Sequence, residues 1–324
     1  MRTIQHFLTF TALILLFSCK KDTNDPSGYV VGKNKFILKI DGDDREYYVH
    51  VPEGYKSNAA TPVVFMLHGT SGDGEKFYNI SGWKEVGETD NIITVFPSSW
   101  RYCIITQGQQ ETTTKWNSQP AEWTFCAGQT PRDDIKFFKS IITELKSKFN
   151  VDSKRIYLAG FSNGGQMASR CTVEMSDIFA AIVESASSLY GETNNLPTYT
   201  PKRKLPITFQ VGNADYGPNN TGPAIPMNLL DTLISTPNLP YLNGKFYNTA
   251  QMNINSFGLN PNFNIVGDTN SYVVANYTSA TSDPVNVFNF VMIKGLEHQY
   301  PNGINHPLIA ARINWDWMKQ FVLP

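Results

Sequence analysis

A serine framed by two glycines, Gly160-Phe161-Ser162-Asn163-Gly164, is the stretch of this chain with the most chemical content. A serine hydroxyl is a weak nucleophile at neutral pH. It needs a base to take its proton, an acid to orient that base, and donors for the oxyanion that forms on an attacked carbonyl. Gly-x-Ser-x-Gly is the spacing of a nucleophile elbow, a tight strand-to-helix turn with room only for small neighbours. Arg155-Ile156-Tyr157-Leu158-Ala159 before it reads as a buried strand, and Gln166-Met167-Ala168-Ser169-Arg170 after it suits a helix. Such a helix aims its N-terminal amides at the serine, where negative charge is stabilised. The same five-residue pattern also occurs in Gly-rich turns without chemistry; the flanking strand and helix favour the elbow.

The partners of Ser162 follow from chain order. On an elbow of this kind the triad runs serine, acid, histidine. Of the five histidines, His6 lies in an N-terminal leader, His50 in an early alternating strand, and His68 precedes the serine. His298 and His306 remain. His298 follows the last apolar strand in Gly295-Leu296-Glu297-His298-Gln299-Tyr300-Pro301 and is the better placed; His306 precedes Pro307 at the start of the final helix. For the acid, the strand Pro206-Ile207-Thr208-Phe209-Gln210-Val211 empties into Gly212-Asn213-Ala214-Asp215, which puts Asp215 at a strand's carboxyl end. Asp231, Asp268 and Asp283 compete from a segment in which no strand is read before them. The oxyanion requires two backbone amides. Asn163, next to the nucleophile, supplies one; the other is expected from the His68-Gly69-Thr70 turn, at Thr70. His68 itself is expected to bond loop backbone.

These residues need a scaffold of strands with their carboxyl ends on one rim. Lys35–Ile40 and Arg45–Val51 alternate around an Asp-Gly turn and read as a hairpin. Pro62–Leu67, Asn91–Phe96, Phe179–Val183, Pro206–Val211 and Val287–Ile293 read as buried strands. A helix is expected from Thr130-Pro131-Arg132-Asp133, with Thr130 as its N-cap and Ile135, Phe138, Ile142, Leu145 and Phe149 as its apolar stripe. Ala310–Phe321 closes the chain as a helix with Ile313, Trp317 and Phe321 on one side. Alternation of strands and helices predicts an α/β fold with a mostly parallel, doubly wound sheet. Two stretches break the rhythm, 98–129 and 214–284. They are expected to be long loops that wall the cleft, or else tolerated surface insertions.

Composition narrows the function class. The chain has 324 residues, a net charge of −1 and no basic run longer than Lys202-Arg203-Lys204, which excludes an electrostatic nucleic-acid binder. No Cys/His cluster has metal-ligand spacing, so neither metal nor cofactor is expected. Arg2 followed by the apolar stretch Phe7–Phe17 reads as an export signal, too short for a comfortable membrane span. Leu16-Phe17-Ser18-Cys19 resembles the lipobox of bacterial lipoproteins, which implies cleavage before Cys19 and lipid on that cysteine; an ordinary secretory signal is the alternative. The expected organisation is a signal peptide at 1–18, a flexible tether at 19–32 and one catalytic domain at 33–324, attached to a membrane only through the lipid. In an exported chain, Cys103 and Cys126 within one loop are candidates for a disulfide, and Cys171 reads as a buried small hydrophobe.

Several segments taken together resemble one family. They are Leu67-His68-Gly69-Thr70, Trp116-Asn117, Asp133-Asp134-Ile135-Lys136-Phe137-Phe138, Val151-Asp152 with Arg155-Ile156-Tyr157, the Ser162 elbow, Gly212-Asn213-Ala214-Asp215, and Gly295 to Pro301. Their order is similar to that of the feruloyl esterase and polyhydroxybutyrate depolymerase-like α/β-hydrolases, which include the family 1 carbohydrate esterases. The resemblance implies an α/β-hydrolase fold and a serine esterase acting on acyl groups of plant polysaccharide, feruloyl or acetyl. Trp116 and Trp123 are then the expected substrate-binding aromatics. The family usually has His-Gly before the triad aspartate, where this chain has Val211-Gly212. It usually has Gly-x-Gly-His-x-Trp-Pro around the histidine, where this chain has Leu296-Glu297 and Tyr300. A polyester depolymerase is the alternative enzyme, and a non-catalytic carbohydrate-binding lipoprotein the alternative of another class.

Overall fold

The computed structural model describes residues 28–106, 108–119, 123–188, 199–217, 220–237, 239 and 245–324. The leader, Cys19 and most of the expected tether lie outside them. The tether's described end is packed, not free: the Tyr29 ring lies 4.6 Å from that of Phe149 and 5.8 Å from that of Tyr55.

The chain order is β1 (Gly32–Ile40), β2 (Asp43–Val51), β3 (Thr61–Leu67), α1 (Gly74–Ile80), α2 (Trp83–Asp90), β4 (Ile93–Pro97), β5 (Trp100–Thr106) and β6 (Gln109–Lys115). It continues through α3 (Asp134–Lys148), β7 (Val151–Phe161), α4 (Asn163–Glu174), β8 (Ile182–Ser185) and β9 (Ile207–Gly212). The last part holds α5 (Leu230–Ser235), α6 (Lys245–Phe257), β10 (Leu259–Asp268), β11 (Tyr272–Ser279), β12 (Phe288–Ile293) and α7 (Ala310–Met318). Ten strands form one sheet in the order β1-β2-β4-β3-β7-β8-β9-β12-β11-β10. The six central strands from β4 to β12 are parallel, and an antiparallel pair flanks them at each edge. This is the α/β-hydrolase architecture, and its continuous apolar strands are those of a sheet buried on both faces. One face packs on α3, α4 and α6, the other on α1, α2 and α7.

The chain passes from β3 outward to β4 and later returns to β7 on the other side of β3. The carboxyl ends of β3 and β7 thus flank a topological switch point, where a doubly wound sheet leaves a crevice.

Four expectations change. The α3 cap is Asp133, whose carboxylate accepts from the Lys136 amide at 2.8 Å; Thr130 lies before the helix and is exposed. An aspartate three residues before a free amide caps it directly, which Thr130 is too distant to do. The 98–129 stretch is not irregular: β5 and β6 form a hairpin, and the Cys103–Cys126 disulfide together with the Ile104–Phe125 bridge ties the following segment to it. The 214–284 stretch contributes α5, α6 and two sheet strands. On α7 the buried face is Ala310, Ala311, Asn314, Trp315 and Met318, while Ile313 is 39 % exposed. Small residues there admit close packing on α2, and Trp315 Nε1 donates to Asp90 at 2.9 Å.

Candidate active site

The elbow is built by exclusion of side chains. A Cβ on Gly160 would lie 2.1 Å from the Gly164 carbonyl oxygen, and one on Gly164 would lie 2.5 Å from the carbonyl oxygens of Leu67 and His68. Neither position tolerates alanine without moving backbone, so β7, α4 and the end of β3 meet at van der Waals distance. Ser162 at the apex has φ 54° and ψ −122°, a conformation that costs on the order of 1–3 kcal/mol and must be imposed by its surroundings. Its own amide donates to Ser185 at the end of β8, 2.8 Å away.

The strand ends bring two further side chains to Ser162. His298 Nε2 lies 2.9 Å from Ser162 Oγ, and His298 Nδ1 lies 2.9 Å from Asp215 Oδ1. Asp215 is 2 % exposed, and its Oδ1 also accepts from the Gly217 amide at 2.9 Å. His298 packs on the Phe161 ring at 5.2 Å. The other sequence candidates are elsewhere. The half-buried His306 faces the Lys294 carbonyl at 2.9 Å, and Asp231, Asp268 and Asp283 lie on α5, at the end of β10 and in the loop before β12.

Asn213 couples the Asp215 loop to the His298 loop, a link that the sequence does not signal. Its Oδ1 accepts from the Gly295 amide at 2.7 Å and its Nδ2 donates to the Ile225 carbonyl at 2.7 Å. The Ala214 amide donates to Leu296 at 3.2 Å. The loops bearing Asp215 and His298 are therefore one hydrogen-bonded unit.

The Thr70 turn sits against Ser162: a Cβ on Gly69 would lie 3.1 Å from that of Ser162. Among the described residues the Thr70 amide has no acceptor. Asn163 is the first residue of α4, where amides lack intrahelical partners. The turn is held from β6, since the Ser71 amide donates to Thr114 at 3.0 Å and Ser71 Oγ lies 2.8 Å from Thr113 Oγ1. His68 is fully buried and uses both ring nitrogens on backbone, with Nδ1 at 2.7 Å from the Gly69 carbonyl and Nε2 accepting from the Ser99 amide at 3.0 Å. Only the neutral ring with its proton on Nδ1 meets both. Burial accordingly pushes its pKa down to about 4.

Trp116 is fully buried and cannot offer a face to a substrate. Its Nε1 donates to the His68 carbonyl at 2.8 Å and its ring packs on Phe138 at 5.4 Å. Its amide donates to Asn163 Oδ1 at 2.6 Å, so Trp116 braces the His68-Gly69-Thr70 turn against α4 from behind. Asn117, next to it, donates its amide to Asp134 Oδ2 at 2.7 Å, while Asp134 Oδ1 pairs with Arg45 at 2.6 Å, both side chains being buried. Asp133 and Asp134 thus have separate tasks, one capping α3 and one pinning the 116–118 segment. Trp123 is half-buried under Lys115, whose Nζ lies 4.3 Å from the ring centroid. Among the described residues no group of three or more His, Cys, Asp and Glu could hold a metal ion.

A family model named Esterase, with the description "Putative esterase", matches residues 39–215, more than half of the chain. The chain belongs to this family. The match contains Ser162 and ends on Asp215, so the esterase-family chain carries His298 and β10–β12 beyond it. Feruloyl esterase B of Piromyces equi is 30 % identical over 171 residues, 53 % of this chain and 29 % of that protein. Poly(3-hydroxyalkanoate) depolymerase C of Paucimonas lemoignei is 26 % identical over 150 residues, 45 % of this chain and 32 % of that protein. In both cases the match spans less than half of the relative's length. The acetyl xylan esterase of Aspergillus awamori shares the fold, with a TM-score of 0.57 at 16 % identity over 88 % of this chain and 99 % of that one.

Proposed function

We propose that this chain is an exported serine esterase that hydrolyses carboxylic esters on plant polysaccharide, feruloyl or acetyl. The observation that carries the chemistry is the line of two 2.9 Å contacts from Ser162 Oγ through His298 to Asp215. Ser162 Oγ attacks the ester carbonyl while His298 Nε2 takes its proton. The Nδ1–H of His298 donates to Asp215, which fixes the tautomer and stabilises the imidazolium. The amides of Asn163 and Thr70 receive the oxyanion; one such donor contributes about 3 kcal/mol to the barrier. Collapse expels the sugar alcohol, protonated by His298, and leaves an acyl-enzyme. A water activated by the same histidine then releases the acid and restores the serine.

The ester chemistry is supported by the family, and the substrate class by the feruloyl esterase relative. Trp123 and the disulfide-tied hairpin over β6 form the aromatic side of the cleft in this reading. Cys19 is proposed as the lipid attachment point that keeps the domain at a membrane. Purified protein should turn over p-nitrophenyl acetate and release ferulate from feruloylated arabinose or acetate from acetylated xylan. Loss of neither activity in Ser162→Ala would overturn the triad. A second reading rests on the depolymerase relative: cleavage of hydroxybutyrate oligomers with neither sugar ester touched would replace the substrate class and keep the chemistry.

A further inference from the structure

On the α7 side of the sheet, a cavity of about 210 Å³ opens beneath α7, away from Ser162, over β9, β12 and β11. The residues facing it break the pattern of a core. Inward positions on the opposite face of β11 and β12 are apolar (Val273, Ala275, Tyr277, Phe288, Phe290 and Met292) and buried. The alternate positions on the cavity face include Thr208, Gln210 and Asn289, with Asn276 next in register to Asn289. They form a ladder across the strands. Gln210 Nε2 donates to Ser185 Oγ at 2.5 Å, Asn289 Nδ2 to Thr208 Oγ1 at 3.3 Å, and Asn276 Nδ2 to Asn289 Oδ1 at 2.9 Å.

The ladder leaves capacity of both polarities facing the cavity. Among the described residues the Gln210 side-chain oxygen, Oε1, accepts no hydrogen bond, and one N–H each of Gln210 Nε2 and Asn289 Nδ2 is left over by the ladder. Asn314 of α7, 3 % exposed, also lines the cavity, but its Nδ2 is buried beside the Tyr300 hydroxyl and offers the cavity no donor. No charged side chain lines the site. Tyr272, Ile313 and Trp317 stand at its mouth, with Tyr272 and Ile313 more than a third exposed.

We infer that this cavity is a non-catalytic binding site for one ring of an uncharged saccharide chain. The volume equals about seven waters of liquid, the size of a single sugar ring. The absence of charge excludes an anionic or cationic ligand. A purely apolar ring would leave Gln210 Oε1 and the spare N–H groups of Gln210 and Asn289 unpaired, whereas hydroxyls both donate and accept. The aromatic side chains at the mouth offer flat apolar surface to the ring's face, and convergent polar groups in an otherwise apolar pocket are the usual form of a small-ligand site. The sheet face continues uncovered past β11, so a chain can leave the pocket without obstruction. A polymer held there stays near the rim while its acyl groups are presented to Ser162.

The test uses xylotriose, which carries no ester, titrated into the purified protein and followed by calorimetry and ligand-observed NMR. Val274→Trp fills the cavity, and Asn289→Leu cuts the ladder. Each should weaken binding about tenfold or more, the scale of one or two lost hydrogen bonds. Turnover of p-nitrophenyl acetate should stay near wild type in both, which reports that they fold. Tyr272→Ala, at an exposed position, serves if one does not. Xylotriose that fails to bind at millimolar concentration, or binds all three variants as it binds wild type, overturns the inference. A concentration-dependent dimer that these variants abolish also overturns it, by giving the face to a second copy. Ser162→Ala should lose turnover and keep xylotriose binding, so this site and the esterase reading fail separately.

Discussion

Glu184→Gln should flatten the pH dependence of stability. Glu184 lies on β8, fully buried, one residue before the Ser185 carbonyl that accepts from the Ser162 amide. Neither carboxylate oxygen has a hydrogen-bond partner of standard geometry among the described residues, although the Ser169 hydroxyl of α4 lies beside it. Burial raises its pKa from 4.5 to about 8. The folded state therefore keeps the proton when the unfolded chain has lost it. Stability is complete below pH 4.5 and falls as pH rises toward 8. At about 1.4 kcal/mol per pH unit, this group alone removes about 4 kcal/mol between pH 5 and pH 9. Glutamine does not titrate. Its amide leaves a donor to satisfy, an offset of about 1–3 kcal/mol that does not vary with pH. The observable is thus the slope: the difference in urea unfolding free energy between variant and wild type should move in the variant's favour by about 4 kcal/mol from pH 5 to pH 9. A difference that stays constant across that range would refute the reasoning, since it would mean that Glu184 is either paired or already ionised in the folded protein.

Four other outcomes follow from the geometry. Ser162→Ala, and separately Asp215→Asn, should each lower kcat for p-nitrophenyl acetate by about 10⁴-fold with the fold intact by circular dichroism; a variant within tenfold of wild type would remove that residue from the triad. Arg45→Met strands the buried Asp134 carboxylate and should cost about 3–5 kcal/mol in chemical denaturation. Recovery by a second change, Asp134→Leu, would show that the unpaired charge is the cause. Gly212→Ala places a Cβ 1.8 Å from the Leu296 carbonyl oxygen and so displaces the loop holding His298; kcat for p-nitrophenyl acetate should fall, and an unchanged kcat would show that the loop tolerates the displacement. Reduction of Cys103–Cys126, which closes a loop with a sequence separation of 23, should destabilise the hairpin by up to about 3 kcal/mol, seen as a lower melting temperature in dithiothreitol.

What could be read before any coordinates were the features whose cause is local. A strained turn selects glycine on either side of Ser162, and a buried strand followed by a loop marks where Asp215 and His298 emerge. Chain order removes His6, His50 and His68, and His298 is preferred to His306 because it directly follows the last strand. The apolar runs of the central strands are equally local, as both of their faces are covered. The features that went unread depend on which distant segment lands opposite. Tryptophan in a polar stretch is compatible with a substrate platform or with a brace. Trp116 became a brace because the His68 carbonyl and Phe138 close over it, 48 and 22 residues away in the chain. The α7 helix presents two possible faces, and α2 selects the one with small residues. The polar β9 and β12 positions lie in stretches that read as buried strands, and only the hollow under α7 shows what they face. Sequence alone thus determined the candidate serine, the order of the residues proposed to act with it and the parallel sheet, through steric and hydrophobic demands within a few residues. Tertiary structure decided which polar and aromatic side chains are supports and which face an opening, because that depends on packing between segments the chain order does not bring together.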